Sequence, residues 1–265
     1  MKISETGIET EKFEMIENLA FTTEKAIGAR ARIGLVVLAT DYTVEHEFRR
    51  IMNLPGVDFY EARIRNSPSI TPVSLAAMEP LITDTAELIL PGDELDVLAF
   101  GCTSASMVLG EEVVGERLRA AKPAAETTNP VSAAFAAFDA LGAHRVAVLT
   151  PYRRDVNEIV RDYIEKHGYR VPVFGSFNEE HDPTAAAIDS DSLRKAVKVI
   201  TEGRDVDAVF VSCTSIRLAE AVANIEADTG IPATSSNHAL AWHCLRLAGV
   251  NDELPGLGRL FECTL

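Results

Sequence analysis

Two cysteines stand where this sequence could do chemistry. Cys102 closes the apolar run 95–100 and sits in Phe100-Gly101-Cys102-Thr103-Ser104-Ala105-Ser106. Cys213 closes the run 208–211 and sits in Val211-Ser212-Cys213-Thr214-Ser215-Ile216-Arg217. Each is followed at once by Thr-Ser, good N-cap chemistry, so each turn is expected to open a helix. The thiolate is the reactive form of cysteine, and unpaired N–H groups at a helix N-terminus lower the thiol pKa from its usual value of about 8.5. The same N–H groups, with the hydroxyls of Thr103, Ser104, Thr214 and Ser215, are candidates for holding a substrate carboxylate. Thiols facing each other across a carbon would act from opposite sides, one as base or nucleophile and one as proton donor. No cofactor is needed for that. A lone cysteine at a strand end is most often a small buried hydrophobe; the repetition of Cys-Thr-Ser between differing flanks favours function here.

Secondary candidates surround the two turns. Tyr152 follows a predicted strand and could offer its hydroxyl to substrate or simply pack. Asn129 and Asn237 suit a helix N-cap or a ligand contact, and Asp41 and Thr43, in the turn after the first strand, have the same two options. Arg217, four residues past Cys213, could neutralise a carboxylate or be a solvated helix residue. Cys244 falls in an apolar helical stretch and reads as core; Cys263, near the end, reads as incidental. His238, His243 and Cys244 lack zinc-ligand spacing, so no metal is expected. Glu179-Glu180-His181-Asp182 reads as a solvated loop or a lid. No Gly-x-Gly-x-x-Gly follows the first strand, Gly256-Leu257-Gly258 follows no strand, and there is no Walker loop, so nucleotide binding has no support.

These residues need a frame to bring them together. The continuous apolar run 33–38 predicts a strand buried on both faces, and 95–100, 144–149 and 206–211 read as strands with it. Further strands are expected at 57–64, 122–128, 169–174 and 231–234. Between them helices are expected to about 53, over 72–90, from Cys102 to about 121, from Asn129 to 141, to about 167, over 191–202, from Cys213 to about 228, and from Asn237 to 248. The order repeats. Leu38-Ala39-Thr40 to Leu149-Thr150-Pro151 spans 111 positions, as Cys102 to Cys213 does, and Thr127-Thr128-Asn129 to Ser235-Ser236-Asn237 spans 108. A duplication of alternating strands and helices predicts two pseudo-symmetric, flavodoxin-like α/β lobes with parallel sheets. The expected division is an N-terminal arm at 1–30, a first lobe at 31–128 completed by 235–265, and a second lobe at 129–234. Ligands of such sheets lie beyond the carboxyl ends of the strands. Cys102, Cys213, Asp41, Tyr152, Asn129 and Asn237 all fall there, so the active site is expected in the cleft between the lobes. The arm is rich in Glu and Thr, with Phe13, Ile16, Leu19 and Phe21 as its apolar positions. It is expected to pack on the body or on a neighbouring subunit, as a short helix or an extended segment, which makes a homo-oligomer the expected assembly.

Composition narrows the class. Of the 265 residues 47% are hydrophobic and 25% charged, an ordinary globular balance, and the net charge of −15 speaks against nucleic-acid binding. No run of 18 apolar residues predicts a membrane span, and the acidic N-terminus does not read as a signal peptide. Four cysteines in this length do not read as a disulfide framework, so a reducing, cytoplasmic setting is expected.

From about Arg32 onward the chain resembles the aspartate/glutamate racemase superfamily, and within it the branch of maleate cis-trans isomerase, arylmalonate decarboxylase and ectoine-utilisation proteins. The resemblance rests on Gly34-Leu35-Val36-Val37, the two Cys-Thr-Ser turns, Thr150-Pro151-Tyr152 and Ser235-Ser236-Asn237-His238-Ala239-Leu240. It implies cofactor-free chemistry on a small carboxylate, as a racemase or isomerase. Cys102 and Cys213 match the two cysteines of maleate-type isomerases, and Tyr152 matches their cleft tyrosine. The decarboxylase keeps only the second cysteine, so Cys102 speaks against that activity. A two-lobed carboxylate-binding protein without chemistry is the alternative from another class. One departure matters. The maleate enzymes carry Asn in the turn after the first strand, and this chain has Asp41. A carboxylate there repels a dicarboxylate unless protonated and suits an ammonium or amide N–H. That directs the expectation away from maleate, towards an amino acid or N-acylated amino acid.

Overall fold

In the computed structural model, which describes residues 13–25, 27–67, 71–179 and 181–265, the chain forms two four-stranded sheets. The first contains β1 (Ala31–Leu38), β2 (Val57–Ile64), β3 (Val97–Gly101) and β4 (Glu126–Thr128), in the order β2-β1-β3-β4. The second contains β5 (Arg145–Thr150), β6 (Arg170–Ser176), β7 (Ala208–Val211) and β8 (Ala233–Ser235), in the order β6-β5-β7-β8. Every ladder is parallel. The central strands β1, β3, β5 and β7 are the continuous apolar runs, buried on both faces beneath flanking helices, as a parallel sheet requires. The α/β duplication is therefore real.

It is not perfect in register. Ile33 pairs with Val97, 64 positions on, whereas Val146 pairs with Ala208, 62 positions on. With the cysteine turns superposed, the first strands of the halves are offset by two residues from the spacing that the sequence suggests. A shift of two keeps every side chain on its own face, so the apolar pattern conceals it.

The cores meet at a pair of helices. Helix Ser236–Leu247, which follows β8, puts Leu240, Trp242 and Leu245 into the first sheet's core with Ile33 and Phe48. Helix Pro130–Ala140, which follows β4, turns Val131, Ala134 and Phe138 toward the second sheet, and Ala133 and Ala137 toward the first. Phe138 meets Phe210 edge-on at 5.4 Å between ring centroids. Buried Arg246 ties down the C-terminal segment, donating to the carbonyls of Val250 (2.7 Å), Cys263 (2.8 Å) and Phe261 (3.0 Å). Splaying the lobes would expose this seam.

Several helices differ from expectation. The one expected over 72–90 is Pro72–Ala76, a single turn at Glu79–Leu81 and Ile82–Glu87, since Pro80 lacks the N–H that continuity would need. The helix after Cys102 stops at Leu109 and restarts at Glu111, because Gly110 adopts φ +88°. No helix opens at Cys213; the next one is Val222–Thr229. Residues 1–12 and 26 of the arm lie outside the described residues. Residues 13–25 form no helix, and Phe13, Ile16, Leu19 and Phe21 are exposed rather than packed on the body. A short stretch with no face to bury does not repay helix nucleation. Among the described residues no helix is long and apolar enough to cross a membrane.

Candidate active site

At the carboxyl ends of the strands the two cysteine turns share one cleft. Cys102 follows β3 and Cys213 lies two residues past β7, both buried. Lining it with them are Thr40 and Asp41 after β1, Thr103, Ser104, Tyr152 after β5, Asp182, Thr214 and Ser215, and on one side Asn66, Ser67, Ser74, Leu75 and Met78. The space within this lining, its open mouth included, is about 540 Å³. Thr43, Asn129 and Arg217 are not part of that lining.

The repeated tripeptide has a local reason. Cys102 Sγ lies 3.7 Å from Ser104 Oγ and takes the N–H of Ala105; Cys213 Sγ accepts the N–H of Ser215 at 3.3 Å and interacts with its hydroxyl. The serine two residues on thus serves each sulfur. Cys213 also takes a hydrogen bond from Tyr152. Burial nevertheless outweighs these donors and pushes both thiols up, to about 11, so the lowered pKa expected from a helix N-terminus is corrected. The cleft thiols are therefore neutral at neutral pH. Burial, then the neighbouring Cys213, raises Tyr152 as well and keeps it a donor. Its backbone is pinned: its N–H donates to Thr150 Oγ1 (3.2 Å), and its carbonyl accepts from Asn157 Nδ2 (2.8 Å) and Ser176 Oγ.

The loop after Cys213 is held from the other lobe. Thr43 Oγ1 donates to the Ser215 carbonyl at 2.8 Å, which is where that residue acts. Asn237 Nδ2 donates both to the Thr214 carbonyl (2.7 Å) and to Glu47 Oε2 (2.8 Å), and the N–H of Ala219 donates to Glu47 Oε1 (2.7 Å). Glu47 is fully buried, and that burial pushes its carboxyl up to about 7. The N-cap role expected of Asn237 is corrected: Ser235 caps the helix instead, accepting the N–H of His238 at 3.2 Å. Asn129 does cap, taking the N–H groups of Val131 (2.9 Å) and Ser132 (3.2 Å) away from the cleft. The charge of Arg217 acts on Glu220, not on the cleft. Sequence reasoning missed Glu47, because it reads as one more surface carboxylate on an amphipathic helix.

Two carboxylates complete the lining. Asp41 Oδ1 accepts the N–H groups of Thr43 (2.7 Å) and Val44 (2.8 Å), and the Thr214 side chain also bonds the carboxylate; burial still pushes it up to about 6. Asp182, the first residue of helix Asp182–Ala186, accepts from Ser215 Oγ at 3.3 Å and is likewise raised by burial. It belongs to the stretch read as a loop or lid and was not singled out as a site residue. Its position beyond the end of β6 was the available signal. Among the described residues no three His, Cys, Asp or Glu side chains gather in a way that could hold a metal ion. His238 is committed to Thr234 (3.0 Å) and the Leu257 carbonyl (2.8 Å), and Cys244 is buried in the first core.

Comparison with known proteins agrees with this fold. Residues 69–261 match the model of the arylmalonate decarboxylase family. The maleate isomerase of Nocardia farcinica is 29% identical over 245 residues, 87% of this chain and 95% of that protein. The crystal structure of the maleate isomerase Iso from Pseudomonas putida superposes with a TM-score of 0.80 at 28% identity, over 87% of this chain and 98% of that one. A mutant of the Nocardia farcinica maleate cis-trans isomerase that carries a covalently bound succinylcysteine intermediate superposes with a TM-score of 0.78 at 28% identity, over the same shares.

Proposed function

The chain belongs to the arylmalonate decarboxylase family, and from that premise we propose that it is a cofactor-independent isomerase of a small carboxylate, with Cys102 and Cys213 acting on opposite sides of the reacting carbon. The observation that carries this reading is the meeting of two cysteines, each beside the serine of its own Cys-Thr-Ser turn, in one buried cleft. The maleate isomerases, matched over 87% of the chain, support the reaction class, and the succinylcysteine in one of them supports thiol chemistry.

Two courses suit this pair. In racemisation one thiolate takes the α-proton, the electron pair delocalises into the carboxylate, and the opposite thiol returns a proton to the other face. The thiol and thiolate have then exchanged roles. In cis-trans isomerisation a thiolate adds to one alkene carbon and the electron pair moves toward the carboxylate. The opposite thiol protonates the other alkene carbon, rotation about the former double bond follows, the proton returns to that sulfur, and the first thiolate leaves. In both, the Ser104 hydroxyl beside Cys102 lines the cleft where it can carry charge that develops on the carboxylate, and the Tyr152 hydroxyl steadies the Cys213 thiolate.

NMR of a small-acid panel in deuterated water tests this directly. Deuterium entering an α-carbon would identify racemisation, and conversion of maleate to fumarate would identify cis-trans isomerisation. Loss of carbon dioxide from an arylmalonate would replace both with the decarboxylase reading. No turnover, with binding retained, would replace them with a carboxylate-binding protein.

A further inference from the structure

We infer that the substrate carries a cationic nitrogen as well as its carboxylate, and that Asp41 and Asp182 select for it from opposite lobes of the cleft. This rests on the reading of the cleft as a small-carboxylate site and deepens it. Both carboxylates line the cavity, and no Lys, Arg or His does so among the described residues. Asp41 is 7% exposed, and each acid reaches the second cysteine turn, Asp41 through Thr214 and Asp182 through Ser215.

Cations around the two acids are committed elsewhere or, like Arg217 with its buried, unpartnered Nε, lie outside the lining. Arg63 donates Nε to Glu45 (2.9 Å) and Nη1 to the backbone carbonyls of Ala39 (3.2 Å) and Asp41 (3.1 Å), so it faces the outer side of the Asp41 turn. His181 neighbours Asp182 in the chain but bonds Thr184 Oγ1 at 2.9 Å and does not line the cavity.

Charge balance then discriminates between substrates. The two acids repel each other as well as being desolvated, and an ammonium group between them would relieve both penalties. A dicarboxylate would bring further negative charge into a buried space that has no cation to meet it, which is discrimination by repulsion. The substrate's own carboxylate has a neutral donor instead, the Ser104 hydroxyl on the Cys102 side.

Three probes with the same four-carbon skeleton separate the cases: 2,4-diaminobutyrate, aspartate and maleate, with two, one and no ammonium groups. Affinity is measured by calorimetry on the full-length Cys102→Ser/Cys213→Ser protein, which cannot turn them over. The expected order is diaminobutyrate, aspartate, maleate, with at least about tenfold between the extremes. Asp182→Asn and Asp41→Asn should each narrow that ratio, and the double variant should favour maleate. Asn at 41 keeps the oxygen that accepts from Thr43 and Val44, so the turn survives the change. Maleate binding as tightly as diaminobutyrate, or a ratio that ignores both substitutions, would overturn the inference. Turnover is read separately on the unsubstituted protein. Selectivity without turnover would sink the isomerase and leave this inference standing, and efficient maleate isomerisation without selectivity would do the reverse.

Discussion

The two cysteine turns begin with the same three residues and are built differently. After Cys102 the chain enters helix Thr103–Leu109 directly, with Ser106 Oγ donating back to the Cys102 carbonyl (2.7 Å) and Thr103 Oγ1 donating to Ser236 Oγ (2.9 Å). After Cys213 it runs through an irregular loop to Val222, and that loop hangs on the first lobe through Thr43, Glu47 and Asn237. A helix that starts at once shapes one turn; contacts from Thr43, Glu47 and Asn237 hold the irregular loop that follows the other. A short motif can therefore place the same pair of groups, a thiol and its serine, by two different means. The price of the second is a buried carboxylate.

The largest expected effect removes the symmetry altogether. Cys102→Ser and Cys213→Ser should each lower kcat by on the order of 10³-fold or more, since acid and base must both be present. Steady-state kinetics showing one variant near wild type would break the pairing. Next, Tyr152→Phe should cost about 10- to 100-fold in kcat/KM by removing a donor that only Cys213 enjoys. With both thiols near 11, the wild-type pH–rate profile should climb between pH 7 and 9, and a flat profile there would contradict the high thiol pKa.

Smaller effects sharpen the contrast in support. Asn237→Ala should cost about 1–3 kcal/mol in denaturant unfolding, because it strands buried Glu47 and the Thr214 carbonyl. Glu47 adds a pH signature. Its folded pKa, about 7, lies above the 4.5 of an unperturbed glutamate, so the unfolded chain ionises first. Stability should fall as pH rises from about 4.5 to 7, by ~3 kcal/mol from this group, and then level off. Melting curves of Glu47→Gln should show a weaker decline over that window, and an unchanged slope would remove Glu47 from the account. Smallest of all, Arg217→Ala should leave kcat/KM within about twofold, as expected of a side chain outside the cleft.

The strands and the paired motif were legible because their causes are local. β1, β3, β5 and β7 are apolar runs that alternate with helical stretches, and Cys-Thr-Ser recurs intact. What stayed hidden depends on distant partners. The two-residue register difference preserves the facing of every side chain and leaves no trace in hydropathy. The missing helix after Cys213 could not be foreseen from Thr-Ser, since Glu47 and Asn237, far away in the chain, take the loop's hydrogen bonds. Asp182 carried no signal beyond lying past β6, and Arg217 only its charge. The rise of both thiol pKa values follows from burial, which a helix-cap argument does not contain.

That the two turns form one site is tested most directly by site-resolved alkylation. Iodoacetamide labelling of Cys102 and Cys213 would be followed by mass spectrometry from pH 7 to 10, with and without saturating 2,4-diaminobutyrate or maleate, whichever binds. Partly exposed Cys263 serves as internal reference. Both cleft thiols should label faster as pH rises, and one bound small molecule should protect both while Cys263 continues to react. Protection of one cysteine with the other labelling freely would mean that the two turns do not close on a common ligand.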